Sequence, residues 1–449
     1  MVVASEQELV ERIWARDATL WTGADEDRWL GWVDEPKRMQ ERVGEILAFA
    51  EQARARFEAF VLLGMGGSSL APEVLRRTFG AQGFHVLDTT HPAMIRRLEQ
   101  LLEETMFIVS SKSGTTLETR SHFEYFWERV RDGERFVAIT DPGSELEQLA
   151  KTRGMRVFAA EPTIGGRYSA LSPFGIVPAA LMGIDIERVL AEAERMAEAC
   201  RGEDNPGLEL GLRLGDGWRE GRDKVCISET EGRFGLWAEQ LIAESTGKQG
   251  KGLVPAPGES PDGPDRQAAE MHVPDPSSIG AEFFRWEFAV AVAGSVLGIN
   301  PFDQPDVQAA KDKTKEVLDS GADPALEPEG SLDELLGQAE PPHYIAIQAF
   351  IDPMREEELQ PLVERARETG CVVTEGLGPR YLHSTGQLHK GGPPTGLFVQ
   401  VVDRMDDEMP IPEREFGFRR LIRAQAEGDF RSLRERGRTI VRVRLEDLS

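Results

Sequence analysis

What most constrains this chain is the order in which short, uninterrupted apolar runs alternate with amphipathic stretches. Phe60-Val-Leu-Leu-Gly, His85-Val-Leu, Phe107-Ile-Val, Phe136-Val-Ala-Ile and Val157-Phe-Ala read as strands buried on both faces. Between them, Leu70 to Phe79, Ala93 to Leu102, Leu117 to Val130 and Ser144 to Arg153 carry helical patterns. Strands of this kind joined by helices form a parallel sheet covered on both sides. The pattern predicts an N-terminal helix over Glu6 to Trp21 and a first α/β unit over about 35–205.

A second, shorter pass begins at Val225-Cys-Ile-Ser and continues through helices at Phe234 to Ser245 and Ala281 to Leu297. Pro255 to Pro264 holds four prolines and two glycines, which predicts a long surface loop. Gly321 to Pro342 reads as a linker. After it come strands at Tyr344-Ile-Ala-Ile, Val372-Val-Thr, Leu397-Phe-Val-Gln-Val and Ile440-Val-Arg-Val, with helices at Arg355 to Thr369 and Phe418 to Arg436. The predicted division is a helical segment at 1–34, α/β units at 35–205 and 206–320, and a C-terminal α/β extension at 340–449.

Composition narrows the function. Lys and Arg number 52 against 78 Asp and Glu, a net charge of −26, so phosphodiester backbones and anionic lipid are disfavoured partners. The opening Met1-Val-Val-Ala-Ser-Glu-Gln-Glu lacks the basic and apolar blocks of a signal peptide. The longest uncharged apolar run, Phe288 to Phe302, is shorter than the roughly 18 residues of a membrane span. Cys200, Cys226 and Cys371 are isolated, which argues against a disulfide scaffold or a thiolate zinc site. The expectation is a cytoplasmic protein that binds neither nucleic acid nor membrane.

Two turns stand out. Leu62-Leu-Gly64-Met-Gly66-Gly67-Ser68-Ser69-Leu70 runs from a strand through glycines into a helix, where backbone N–H groups point at whatever sits above. Ser at 69 breaks the dinucleotide fingerprint. Val109-Ser110-Ser111-Lys112-Ser113-Gly114-Thr115-Thr116 repeats the design with five hydroxyls and a lysine. Each alone also reads as an ordinary capped helix start. Together, at the ends of neighbouring strands, they point to phosphate binding, and a small phosphomonoester fits better than a nucleotide.

Further segments carry charge. Gly165-Gly-Arg167-Tyr-Ser sets an arginine on a glycine turn, and Gln240-Leu-Ile-Ala-Glu244-Ser-Thr-Gly-Lys ends an apolar helix with a carboxylate. Phe302-Asp-Gln304-Pro-Asp-Val-Gln-Ala-Ala-Lys311 opens a helix at proline. Tyr381-Leu-His383-Ser-Thr-Gly-Gln-Leu-His389-Lys places two histidines in a polar loop. Taken singly, Arg167, Glu244 and Lys311 also read as solvated surface charges. Two imidazoles without a third ligand make a poor metal site.

In combination these motifs resemble the phosphoglucose isomerase family, built on paired sugar-isomerase (SIS) domains. The match is to the family's GxGGS at Gly64 to Ser68, its SKTxTTxET at Ser111 to Thr119 with Ser113 and Gly114 departing, and its GGRxS, E-S-x-G-K and F-D-Q-x-x-V-x-x-x-K segments. The resemblance implies two doubly wound SIS-type parallel-sheet domains in three αβα layers. It also implies glucose 6-phosphate/fructose 6-phosphate isomerisation through a cis-enediolate, with no metal or organic cofactor.

By the same resemblance, Gly67, Ser68, Ser111, Lys112, Ser113 and Thr116 would bind the sugar phosphate, and Gln240 and Gln304 would lie near the substrate. Glu244 would move the proton, Arg167 would stabilise the enediolate, and Lys311 with a histidine would assist ring opening. In most relatives that histidine precedes the lysine motif. Here His383-Ser-Thr-Gly-Gln follows Lys311, an order similar to the isomerase half of fused transaldolase–phosphoglucose isomerases. His383 is the expected acid/base, with His389 and then His272 as alternatives. The resemblance further suggests a homodimer, and a transaldolase as fused or separate partner in relatives. Isomerisation of mannose or amino sugar phosphates, and a non-catalytic sugar-phosphate sensor, are the competing readings.

Overall fold

The computed structural model describes residues 5–228, 232–405 and 408–448, with the side chains of 309 and 310 left aside. The first four residues of the opening read for a signal peptide lie outside the described residues. Five strands form the first sheet: β1 (Ala59–Leu63), β2 (Phe84–Leu87), β3 (Thr105–Ser110), β4 (Phe136–Thr140) and β5 (Arg156–Ala159). Their order is β2-β1-β3-β4-β5 and every pairing is parallel.

Continuous apolarity in these strands has a direct structural cause. Phe60, Leu62, Met106, Ile108, Val137 and Ile139 face one core, packed with the helices Glu35–Arg54 and Pro173–Leu181. Their neighbours Val61, Leu63, Phe107, Val109, Phe136 and Ala138 face a second core. That core is covered by the helices Pro92–Glu99, Leu117–Val130 and Glu145–Arg153. With alternate residues buried on both sides, the centres of β1, β3 and β4 are apolar throughout, and buried hydroxyls appear only at strand ends, at Thr105, Ser110 and Thr140. The chain reverses direction across the sheet between β1 and β3, the point at which open α/β sheets bind ligands.

The N-terminal helix is shorter than its pattern predicts. It ends at Trp14, because Arg16 takes positive φ and Asp17 caps a new turn by accepting from the Thr19 N–H.

Among the described residues of the second half there are seven strands. β6 (Lys224–Ile227), β7 (Val254–Pro257) and β8 (Arg266–Ala269) form a parallel sheet in the order β7-β6-β8. β9 (Tyr344–Phe350), β10 (Val372–Leu377), β11 (Gly396–Val402) and β12 (Thr439–Arg444) form another parallel sheet, ordered β10-β9-β11-β12.

The predicted proline loop is therefore partly strand. Val254 and Gly258 donate their N–H groups to the Asp223 and Ile227 carbonyls of the β6 side. Pro255 and Pro257, alternating with them, present their N–H-less side away from β6, where an edge strand tolerates proline. β10 lies along that side, yet two prolines leave it too few donors for a ladder, so the sheets abut without merging. Cys226, Val254, Ala256, Tyr344, Ala346 and Phe398 seal the junction in one apolar cluster. The stretch 321–342, read as a linker, holds a helical turn at Leu332–Gly337 and a bridge from Glu329 to Arg442 of β12. Among the described residues no helix is long and apolar enough to cross a membrane.

Candidate active site

The loops that follow β1, β3 and β5, the helix Gly235–Thr246 and the turn Arg380–His383 meet at the carboxyl edge of the first sheet. The two glycine-rich turns touch through backbone. A Cβ on Gly67 would stand 2.1 Å from the Gly166 carbonyl oxygen. Ser169 donates its hydroxyl to the Gly67 carbonyl at 3.3 Å, and Ser110 donates to the Ser68 carbonyl at 3.2 Å. Only glycine at 67 lets the Arg167 turn settle on the first loop.

Arg167 is buried and almost fully committed. Its Nε donates to Ser245 Oγ at 2.9 Å and Nη1 to Gln304 Oε1 at 2.9 Å. Nη2 donates to the Pro301 and Asp303 carbonyls at 2.8 and 2.9 Å. A guanidinium has five N–H donors, and four are spent. Nη1 also stands 3.5 Å from Oε1 of Glu244, so the fifth is directed to the carboxylate side of the site. Gln304 therefore holds Arg167 in place.

Glu244 sits on the last turn of its helix among polar neighbours. Gln240, one turn earlier, donates Nε2 to Glu244 Oε2 at 3.1 Å and to the His383 carbonyl at 2.8 Å. This amide ties the carboxylate to the histidine turn. Gly66, at φ +54°, is required where that turn arrives: a Cβ there would lie 2.6 Å from the His383 carbonyl oxygen. Close by, the buried Lys248 donates to the Asn300 and Asp303 carbonyls and to Asp303 Oδ1. Burial, with Arg167 nearby, pulls its ammonium down to about 8.

The His383 ring reaches a residue to which sequence reasoning assigned no role. Its Nε2 lies 2.9 Å from Oε1 of Glu118, a buried carboxylate in the first turn of the helix Leu117–Val130. Burial alone would raise this carboxyl. The His383 ring, a backbone N–H and the Lys311 charge hold it down at about 2. The one available signal was its place inside the SKSGTTLET motif.

A cavity of about 480 Å³ opens beside this pair. It is lined by hydroxyls of Ser113, Thr115 and Thr116, by Lys311 and Lys315, and by His383 and Glu118. Cationic ammonium groups facing hydroxyls suit a phosphate, despite the acidic chain around them.

The structure sorts the remaining phosphate candidates. Ser113 and Thr116 reach the cavity wall, whereas Ser111 supports the loop from within, accepting from the Gly114 N–H at 3.1 Å and pairing with Thr116 Oγ1 at 3.1 Å. Ser68 lies on the neighbouring turn. Lys112 points elsewhere, its Nζ bonded to Asp141 Oδ2 at 2.5 Å and to the Pro162 carbonyl at 3.1 Å. Neither alternative histidine joins the cluster. His389 is buried among Tyr344, Tyr381 and Phe398 and paired with Gln348, and burial pushes its pKa well down. His272 lies between β8 and the helix Ile279–Leu297.

Residues 34–206 match the phosphoglucose isomerase family. Glucose-6-phosphate isomerase of Carboxydothermus hydrogenoformans is 34% identical over 248 residues, covering 49% of this chain and 53% of that protein. The enzyme of the same name from Gloeothece citriformis is 35% identical over 268 residues, covering 54% and 50%. The chain spans about half the length of the curated relatives it matches. Among solved structures, a glucose-6-phosphate isomerase from Chlamydia trachomatis superposes with a TM-score of 0.60 at 19% identity, over 71% of this chain and 85% of that one. A hypothetical protein from Thermus thermophilus superposes with a TM-score of 0.51 at 22% identity, over 98% and 83%. At these identities the superpositions establish a shared fold.

Proposed function

We propose that this chain, which carries a phosphoglucose isomerase family domain over residues 34–206, is an aldose–ketose isomerase acting on glucose 6-phosphate and fructose 6-phosphate. The observation that carries the reading is the Glu244–Arg167 arrangement. A carboxylate stands 3.5 Å from a guanidinium that four other bonds hold rigid, and an amide links it to the histidine bordering a cavity of about 480 Å³, roomy enough for a sugar phosphate.

The chemistry follows from that geometry. Ser113, Thr116 and Lys311 take the phosphate and fix the sugar in register, so that binding energy is converted into orientation. His383 and Lys311 open the ring, the imidazole exchanging a proton with the ring and C1 oxygens. With Nε2 engaged by Glu118, Nδ1 is the nitrogen left for the substrate, and the carboxylate stabilises the imidazolium as it forms. Glu244 then removes the proton from C2 of the open aldose. The electron pair moves into the C1–C2 bond and negative charge develops on the C1 oxygen. The remaining Nη1 donor of Arg167 meets that charge. The proton of the C2 hydroxyl passes to the C1 oxygen, and delivery of a proton from Glu244, open to exchange with solvent, to C1 then forms the C2 carbonyl of the ketose. A general base typically contributes roughly 10²–10⁴-fold, and only if the enediolate is stabilised. This makes Arg167 the necessary companion of Glu244.

On this reading the protein works in the cytoplasm, where sugar phosphates are exchanged. A site supplied by one chain is supported by Gln240 joining Glu244 to the His383 carbonyl and by His383 meeting Glu118 within that chain. The test is a coupled assay of the purified chain with fructose 6-phosphate in the presence of chelator. Formation of glucose 6-phosphate is expected. No turnover with fructose 6-phosphate, against turnover with mannose 6-phosphate or an amino sugar phosphate, would reassign the substrate.

A further inference from the structure

Glu118 Oε1 receives a second hydrogen bond, from a helix of the C-terminal part of the chain. Gln425, in the helix Phe418–Glu435, donates Nε2 to it at 2.7 Å. The far end of the same amide is fixed as well: Thr90 donates its hydroxyl to Gln425 Oε1 at 2.7 Å. Thr90, Glu118 and Gln425 are all buried. The orientation of the amide is fixed by the carboxylate, since reversing it would set a carbonyl oxygen against Glu118 Oε1.

We infer that Gln425 is a positioning residue for the Glu118–His383 pair, the end of a relay Thr90–Gln425–Glu118–His383 that aims the imidazole at the substrate's ring oxygen. The inference rests on the isomerase reading and deepens it. A carboxylate oxygen held by one donor can swing about its χ angles, and the ring bonded to it swings too. A second donor, itself anchored, removes that freedom, and small displacements of a catalytic group are costly. The charged and titratable groups facing Glu118 are the His383 ring, Lys311 and His122. Burial drives His122 down to about 4, and its Nε2 is engaged by the Thr89 carbonyl, so it is neutral at working pH. The helix Phe418–Glu435 that carries Gln425 also packs on the helix Val307–Asp319 that bears Lys311.

The test compares Gln425→Leu, Gln425→Glu and Thr90→Val with the parent chain, measuring kcat and KM for fructose 6-phosphate across pH and the thermal midpoint of each. Gln425→Leu is expected to lower kcat about tenfold or more, with KM within about twofold. Gln425→Glu sets a second buried carboxyl against Glu118, where the pair shares a proton and a donor to Oε1 is restored, so this variant should keep more of the parent kcat than Gln425→Leu. Thr90→Val, which frees the amide while preserving shape, should lower kcat in the same direction and less. A kcat within about twofold in a folded Gln425→Leu or Thr90→Val variant, or equal losses of kcat in Gln425→Leu and Gln425→Glu, overturns the inference. An inactive parent chain would count against the isomerase reading itself, whereas an active parent with unmoved variants counts against Gln425 alone.

Discussion

Nε2 of His383 lies 2.9 Å from Oε1 of Glu118, although 265 positions separate the two residues in the chain. The contact is made where ion pairs stitch the C-terminal region to the first sheet: Arg97 grips Asp352 with two bonds of 2.7 Å, and Arg414 holds Glu124. Replacing Glu118 by Gln keeps the shape and removes the charge that supports an imidazolium. We expect kcat to fall roughly 10²-fold with little change in KM, in keeping with the worth of a positioned acid/base. Steady-state kinetics on fructose 6-phosphate check this. Mixing Glu244→Gln with His383→Ala protein should restore no activity, since each chain supplies both residues to its own site.

The backbone contact between Gly67 and Gly166 makes a second prediction. Gly67→Ala places a methyl 2.1 Å from a carbonyl oxygen that cannot rotate away, so the two turns must separate and carry Arg167 with them. We expect a loss of about 1–3 kcal/mol in stability and a fall in kcat larger than any change in KM. Denaturant titration and kinetics on one preparation measure both.

How much of this was legible in the sequence depended on how each residue reports its surroundings. The strands of the first sheet were plain because burial on both faces leaves only apolar positions, as at Phe107, Ile108 and Val109. β7 was hidden because Pro255 and Pro257 argue against a strand unless one knows that their N–H-less side faces away from the ladder. β8, Arg266-Gln-Ala-Ala, has neither apolar run nor alternation. At the site, the order of motifs brought Arg167, Glu244, Gln240 and His383 to attention, and the structure gathers them in one cluster. Glu118 and Gln425 escaped because a glutamate in a first helical turn and a glutamine in a C-terminal helix are ordinary residues. Their meeting depends on a contact spanning 307 positions.

Lys112 and Lys311 offer a direct contrast. Lys112 is tied to Asp141 and the Pro162 carbonyl, whereas Lys311 lines the cavity. Lys112→Ala should leave KM for fructose 6-phosphate within about threefold. Lys311→Ala removes a charged partner worth roughly 1.5–3 kcal/mol, so substrate binding should weaken by roughly 10- to 150-fold. Equal losses in the two variants would mean that Lys112 turns to the phosphate when substrate arrives.

Stability should depend on Glu35. Burial raises its carboxyl from 4.5 to about 7, despite Arg38 beside it. A raised acid is favoured in its protonated form. Its contribution to stability is therefore complete below about 4.5 and is lost as pH rises through about 7, amounting to about 3 kcal/mol in order of magnitude. The thermal midpoint of the parent should fall between pH 5 and pH 8, and Glu35→Gln, which cannot ionise, should show a smaller fall. Differential scanning calorimetry at the two pH values decides.

Proton transfer between C1 and C2 by Glu244 is tested most directly by isotope exchange. Incubated with fructose 6-phosphate in deuterated water, the parent chain should incorporate deuterium into the sugar phosphate. Glu244→Gln should incorporate none over the same period while still binding the sugar phosphate. Undiminished incorporation in Glu244→Gln would contradict the account.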